Sequence, residues 1–311
     1  MSYYIGVDGG GTKTQYALFD ENKNMLFSVK TPGSNHENLD GGIPEAAKII
    51  MSGINALLDE AKKSYSDIEK ILMALAGIDH PWQCEAMTKE LENLGLSVPF
   101  SIYNDGFIVV KAGLTGKSGI GYNCGTGTCC NSIDSDGKLL QIGGFGVLSG
   151  DVGGGHWIAA EAFRAVYDDI CLKKRKTAIT DGFVKLLNIT PDRDGVLSLV
   201  GVLEEDNDDV IRVMLDVFFD CANSGDEAAA DIIHAMAKRG AEFIAGHIKS
   251  GNFTDDVIEV VLSGSIHVKL PSKLYTDELA VLAEEYSGRK LRFIKLTDAP
   301  VTGCINWMLE K

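Results

Sequence analysis

Apolar and polar residues alternate along the opening of this 311-residue chain and then change period. Tyr3-Tyr4-Ile5-Gly6-Val7 is aromatic and β-branched, and Gln15-Tyr16-Ala17-Leu18-Phe19 alternates polar with apolar, so both read as strands. A third strand is expected before the polar loop at residues 31–38. Over residues 44–63 the period becomes helical, with Ala47, Ile50, Ile54, Leu57, Leu58 and Ala61 recurring on one face. Residues 68–76 read as a short buried strand, 81–94 as a helix, 99–103 as a strand and 105–113 as a short helix. The expected order is β-β-β-α-β-α-β, closed by the short helix.

The same opening returns at residue 118. It is interrupted by a largely helical stretch over 154–250, then resumes with a strand at 257–263, a helix at 276–286, a strand at 291–295 and a closing helix at 300–309. A shift of 114 positions lays Gly11-Thr12-Lys13-Thr14 on Gly125-Thr126-Gly127-Thr128 and Asp20 on Asp134. It also lays the turn after Asp20 on the turn after Asp134. Two similar domains are therefore expected: residues 1–114, with the C-terminal helix 299–311 as a possible completion, and residues 115–298 carrying the helical insertion. No low-complexity linker separates them, which makes Gly113 and Gly116 hinge candidates.

Each half carries a glycine-rich turn between two strands. In the first, Asp8-Gly9-Gly10-Gly11-Thr12-Lys13-Thr14 leaves a hairpin with few Cβ atoms, whose amides from Gly10 to Lys13 are expected to close on a phosphate. Asp8 ends the preceding strand, where a carboxylate can hold hydrated Mg²⁺ on that phosphate. The loop runs into a strand rather than a helix, so it is not a Walker loop.

Composition narrows the chemistry. A net charge of −15 argues against nucleic acid as a partner, since phosphate backbones are bound by Lys/Arg patches. Phosphates would instead be met by backbone amides and Mg²⁺. Seven cysteines, an odd number without paired spacing, suggest reduced thiols and a cytoplasmic location. No apolar run approaches membrane-spanning length and no secretory leader is recognised, so no membrane partner is expected.

Taken together, these motifs resemble the sugar kinases of the acetate-kinase/hexokinase/actin superfamily, and within it the N-acetylglucosamine kinases and the BadF/BadG-type ATPases. Asp8 to Thr14 is similar to that family's first phosphate motif, Gly125 to Thr128 to its second, and Val260 to Ser265, ending in Gly264-Ser265, to its adenosine motif. Ser34-Asn35-His36, Asn104-Asp105 and the segment from Gly150-Asp151 through Trp157-Ile158-Ala159 are similar to its sugar-binding segments. The resemblance implies an α/β fold of two ribonuclease-H-like domains around a central cleft, the actin/hexokinase-like ATPase fold. It implies an ATP- and Mg²⁺-dependent kinase acting on a small-molecule sugar, with a homodimer expected. The substrate would be an amino sugar, N-acetyl-D-glucosamine at its 6-hydroxyl before N-acetylmuramic acid, glucosamine or glucose. Asp8, Gly10, Gly11, Thr12, Lys13, Thr14, Gly125, Thr126, Gly127, Thr128, Gly264 and Ser265 would then hold the nucleotide, with Asp8 on the metal. Asn35, His36, Asn104, Asp105, Gly144 and Asp151 would hold the sugar. Asp105, at a strand end, would be the general base that takes the hydroxyl proton; a helix N-cap is its competing role.

One departure bears on the sugar. The family places an asparagine after its second phosphate motif, and here that position is Cys129, a poor hydrogen-bonding partner. His156 and Trp157 are expected to pack rather than to bind. Cys124, Cys129 and Cys130 lack zinc spacing, and strand alternation sends the last two to opposite faces. A competing activity is an ATPase that activates 2-hydroxyacyl-CoA dehydratases, which would need cluster-ligating cysteines at a dimer interface. A sugar-sensing regulator is a third.

Overall fold

The computed structural model describes residues 2–205, 207–269 and 272–310. Contacts divide the chain into two compact units, Met1–Gly121 with Leu296–Lys311, and Tyr122–Lys295.

The first unit is a five-stranded mixed sheet in the order β3-β2-β1-β4-β5. Strands β1 (Tyr3–Gly9), β2 (Lys13–Asp20) and β3 (Met25–Pro32) form an antiparallel meander, and β4 (Ile68–Leu75) and β5 (Phe100–Asn104) extend it in parallel. Alternation along β2 sends Tyr16 and Leu18 to one face and Ala17 and Phe19 to the other, and all four are fully buried. The first face is covered by α1 (Gly42–Ala61) and α2 (Pro81–Asn93) through Ile50, Ile54, Leu57 and Leu91. The second is covered by α3 (Gly106–Gly113) and the chain's last helix (Thr302–Met308), through Ile108, Val301, Cys304 and Ile305. Those two helices cross closely: a Cβ on Gly303 would lie 2.0 Å from the Ile108 carbonyl, so only glycine fits there.

The second unit repeats the plan. Its sheet runs β10-β9-β6-β7-β8, the same order read from the other edge. The strands are β6 (Gly119–Cys124), β7 (Thr128–Ile133), β8 (Leu139–Gly143), β9 (Val257–Ser263) and β10 (Lys290–Lys295). Between β8 and β9 lie α4 (Gly155–Ile170), α5 (Ala178–Leu186), α6 (Arg193–Glu204), α7 (Asp208–Asn223) and α8 (Glu227–Ser250), the helical insertion. After β9 come α9 (Ser265–Val268) and α10 (Lys273–Ser287); the closing helix of the first unit is α11. The division between units falls inside β6, past residue 114, because Gly121 packs on Val110 of α3.

The 114-residue shift holds at atomic detail. Asp20 Oδ1 accepts from the amides of Asn22 and Asn24 at 2.9 and 2.8 Å; Asp134 Oδ1 accepts from Asp136 and Lys138 at 3.0 and 2.9 Å. Lys23 and its counterpart Gly137 both take positive φ, at 66° and 79°. A short aspartate side chain thus ties the same turn twice, as Asx-type turns do.

Candidate active site

In the first unit the sequence-identified residues gather at the C-terminal ends of β1, β4 and β5. Gly9 through Lys13 forms the expected hairpin. The Gly10 amide donates to the Lys13 carbonyl at 3.0 Å and closes the turn, so that N–H is spent within the loop. Gly11, Thr12 and Lys13 are exposed at the tip. Thr14 differs: it is fully buried, and its hydroxyl donates to Ser34 Oγ at 2.8 Å. That side chain fastens the hairpin to the Ser34-Asn35-His36 loop instead of reaching outward. A second bond, from the Ser34 amide to the Gly10 carbonyl at 3.1 Å, reinforces the fastening.

Asn35 Oδ1 accepts the Glu37 amide at 3.0 Å, which fixes the side chain as a cap. Gly77, at φ +78°, runs beneath it; a Cβ there would lie 2.4 Å from Asn35 Oδ1. His36 Nε2 lies 3.5 Å from Gln83 Nε2, and His36 Nδ1 is buried with no hydrogen-bond partner among the described residues.

Asp105 directly follows β5 and precedes α3, and its side chain makes no capping bond. Asn104 supplies the cap instead, through Oδ1 accepting the Gly106 amide at 2.9 Å. Burial pushes the Asp105 carboxyl up to about 7, and the charges of Asp8 and Asp79 add to the rise. Asp8 is pushed up to about 6, again chiefly by burial, with Lys13 opposing. Two raised carboxyls with so little nearby positive charge are groups that a cation would ionise. Among the described residues no cluster of three or more His, Cys, Asp or Glu could enclose a metal. Asp8 therefore suits an ion that brings its remaining ligands as water and phosphate oxygens, which is the habit of Mg²⁺.

The second unit repeats the fastening. The Gly125 amide donates to the Gly127 carbonyl at 2.9 Å, leaving Thr126 and Gly127 exposed at the hairpin tip. Thr128 is buried, and its hydroxyl donates to the Val152 carbonyl at 2.9 Å, beside Asp151. Thr128, like Thr14, faces inward. Asp151 organises its own loop: its carboxylate accepts from the Gly144 and Gly146 amides at 2.9 and 2.8 Å and from Ser149 Oγ at 2.8 Å. Gly144, at φ +89°, lies against Cys129 and Gln141. Arg239 of α8 holds the same loop by donating to the Gly150 carbonyl at 3.0 Å. Cys129 and Cys130 do alternate, the first half-buried and the second buried.

Gly264, at φ +87°, abuts the second hairpin so closely that a Cβ would lie 2.1 Å from the Cys124 carbonyl. Next to it opens a cavity of about 420 Å³, lined by Thr126, His156, Ile211, Leu215, Ser265 and Lys269 among others. Ile211 and Leu215 come from α7 of the insertion and supply an apolar wall. Sequence motifs marked Thr126 and Ser265 but not that wall. His156 is also among the residues that line the cavity.

A scan against family models matches residues 5–288 to the BadF/BadG/BcrA/BcrD ATPase family. The chain belongs to that family. An N-acetyl-D-glucosamine kinase of Dictyostelium discoideum is 30% identical over 201 residues, covering 61% of this chain and 62% of the relative. An N-acetylmuramic acid/N-acetylglucosamine kinase of Clostridium acetobutylicum is 26% identical over 200 residues, covering 62% and 63%. The matches thus span somewhat under two thirds of each relative. Among solved structures, a candidate N-acetylglucosamine kinase of Chromobacterium violaceum superposes with TM-score 0.67 at 18% identity, over 100% of this chain and 99% of that one. A ROK family glucokinase of Streptomyces griseus, in complex with glucose and AMPPNP, superposes with TM-score 0.57 at 16% identity, over 98% and 97%. The fold is the two-domain, actin/hexokinase-like ATPase fold, as expected.

Proposed function

We propose that this chain is an ATP-dependent sugar kinase whose substrate is an amino sugar, N-acetyl-D-glucosamine at its 6-hydroxyl in the first instance. The observation that carries the reading is Asp105: a carboxyl at a strand end, free of capping duty, with its pKa lifted to about 7. A general base is most effective when its pKa lies near the working pH. The names of the two sequence relatives support the substrate class, and the family supports ATP.

In this reading the sugar lies against Asn35, His36, Asn104 and Asp105. The buried, unpartnered Nδ1 of His36 supports a polar ligand beside that loop. Asp105 accepts the hydroxyl proton as the sugar oxygen forms its bond to the γ-phosphorus. The bond from that phosphorus to the β,γ-bridging oxygen breaks, and ADP leaves with the electron pair. Amides at the exposed tips, Gly11-Thr12-Lys13 and Thr126-Gly127, would bind phosphate oxygens. The cavity beside Gly264 and Ser265 has the mixed lining a nucleoside needs: an apolar wall from Ile211 and Leu215, with polar groups at its rim. Bound Mg²⁺, held by Asp8, would neutralise phosphate charge. Catalysis then rests on positioning and charge stabilisation.

A coupled ADP-release assay across N-acetylglucosamine, N-acetylmuramic acid, glucosamine, N-acetylmannosamine and glucose tests the proposal. Sugar-dependent ADP formation with at least one amino sugar is expected, and its absence across the panel would refute the kinase reading. The family description names ATPases, and the second reading, an activating ATPase with a shared iron–sulfur cluster, would also be one. Iron and acid-labile sulfide in the anaerobically purified protein would favour it.

A further inference from the structure

Asp79 lies 25 residues from Asn104 in the sequence, yet Asn104 Nδ2 donates to Asp79 Oδ1 at 3.0 Å. The register explains the meeting. β4 and β5 are parallel neighbours, with Leu75 opposite Asn104, so the loop leaving β4 runs past the end of β5. That loop is itself held. Gln83, buried in the first turn of α2, accepts the amides of Asp79 and His80 on its Oε1 at 2.9 and 2.7 Å. From Asp79 the chain of bonds continues: Asn104 Oδ1 accepts the Gly106 amide at 2.9 Å. Both ends of the Asn104 amide are thereby engaged, which fixes its flip and holds the peptide that follows Asp105 through the Gly106 N–H.

We propose that Asp79 is a positioning residue for the reaction: by holding the Asn104 amide, and through it the Gly106 N–H, it fixes where the backbone presents Asp105. The proposal rests on Asp105 being the base in the kinase reading. Asp79 itself touches neither the hydroxyl nor the phosphate in this scheme. Its acceptor atom must be in place, and its charge need not be.

Three substitutions separate those properties in the full-length protein. Asp79→Asn keeps an oxygen acceptor of the same reach and removes the charge. Asp79→Glu keeps the charge and displaces the acceptor by one methylene. Asp79→Ala removes both. Asp79→Asn should retain kcat within about threefold, whereas Asp79→Glu and Asp79→Ala should lose kcat by up to about 10²-fold, the scale of a misplacement near 1 Å. The KM for ATP should stay within about twofold in all three, since the nucleotide-binding residues are untouched. Amide hydrogen exchange at Gly106 needs no substrate and should quicken in the Glu and Ala variants but not in the Asn variant. That readout stands even if the wild-type protein phosphorylates none of the sugars, so a failed kinase reading and a failed role for Asp79 are told apart. Should the Ala variant not fold, the Asn and Glu pair carries the comparison alone. Wild-type kcat in Asp79→Glu, or equal losses in Asp79→Asn and Asp79→Glu, would overturn the proposal. So would unchanged Gly106 exchange in Asp79→Glu.

Discussion

Asp105→Asn is the substitution on which the proposed chemistry and the buried environment make opposite demands. The carboxyl is pushed from the ordinary 3.8 to about 7 by burial and by the neighbouring charges of Asp8 and Asp79. Each tenfold change in acidity is worth 1.36 kcal/mol, so ionising it in the folded chain costs up to about 4 kcal/mol more than in the unfolded chain. Between pH 3.8 and about 7 the folded state keeps a proton that the unfolded state has released. Stability therefore falls as pH rises through that window, and the loss is complete above about pH 7. Asparagine has no such proton. The variant should match the wild-type protein near pH 4 and exceed it by about 1–4 kcal/mol at pH 8, the upper figure being the whole ionisation cost. Its turnover, by contrast, should fall about 10²- to 10⁴-fold at saturating sugar, the usual cost of a lost general base. Wild-type activity should rise with pH through about 7, since only the ionised carboxylate accepts a proton. Urea unfolding of both proteins at pH 4 and pH 8, with a pH profile of kcat/KM, reads all three effects. A variant that turns over at the wild-type rate, or a wild-type acid limb below pH 5, would refute the argument.

Three further substitutions address the rest of the site. Asp8→Asn should raise the Mg²⁺ concentration needed for half-maximal rate while leaving sugar binding, measured calorimetrically without nucleotide, unchanged; an unaltered Mg²⁺ dependence would remove its metal role. Ser265→Tyr fills the mouth of the cavity beside the second hairpin and should raise the KM for ATP about tenfold or more, equivalent to about 1.4 kcal/mol of lost binding, with unchanged Tm. Cys129→Asn restores an amide next to Gly144 and should raise kcat/KM for N-acetylglucosamine about two- to tenfold, the worth of one hydrogen bond of about 0.5–1.5 kcal/mol, with no change for glucose.

How far the sequence discloses this arrangement depends on whether a feature is local. The strands of both sheets follow from two-residue alternation or from short apolar runs, and their ends are displaced by a residue or so: the strand expected at 68–76 is Ile68–Leu75, and that expected at 99–103 is Phe100–Asn104. The glycine-rich hairpins and the acidic turns are legible for the same reason, since each is decided within five or six residues. What pairs across long separations is not legible. Thr14 falls on the nucleotide only through the resemblance of its motif, and the meander turns it into the core, onto Ser34 twenty residues away. Asp79 carries no motif at all, and only the parallel register of β4 and β5 brings it to Asn104. Ile211 and Leu215 sit on an amphipathic helix whose apolar positions look like any core face. Their place at a cavity follows from how α7 packs within its unit, which periodicity does not encode.

The two units share more than strand order, and what they share differs in kind from what they do not. Both tie the turn after their second strand with one aspartate, and both close their glycine-rich hairpin with an amide-to-carbonyl bond of 2.9–3.0 Å. Both bury a threonine hydroxyl that fastens the hairpin to a loop resembling the sugar-binding segments, through Ser34 in one and Val152 in the other. These are scaffold bonds, indifferent to which ligand is present, and they follow the 114-residue repeat or lie close to it. The chemistry-bearing groups do not repeat. The raised carboxyls Asp8 and Asp105 belong to the first unit; the position 114 residues on from Asp8 is the buried Tyr122, and the residue that follows β10, the strand corresponding to β5, is the buried Leu296. The cavity with its apolar wall belongs to the second unit and depends on helices that the first unit lacks. A scaffold used twice, with acid–base groups kept in one copy and an apolar pocket built into the other, suits a reaction between two unlike substrates. The proposed transfer from a nucleotide to a sugar is such a reaction.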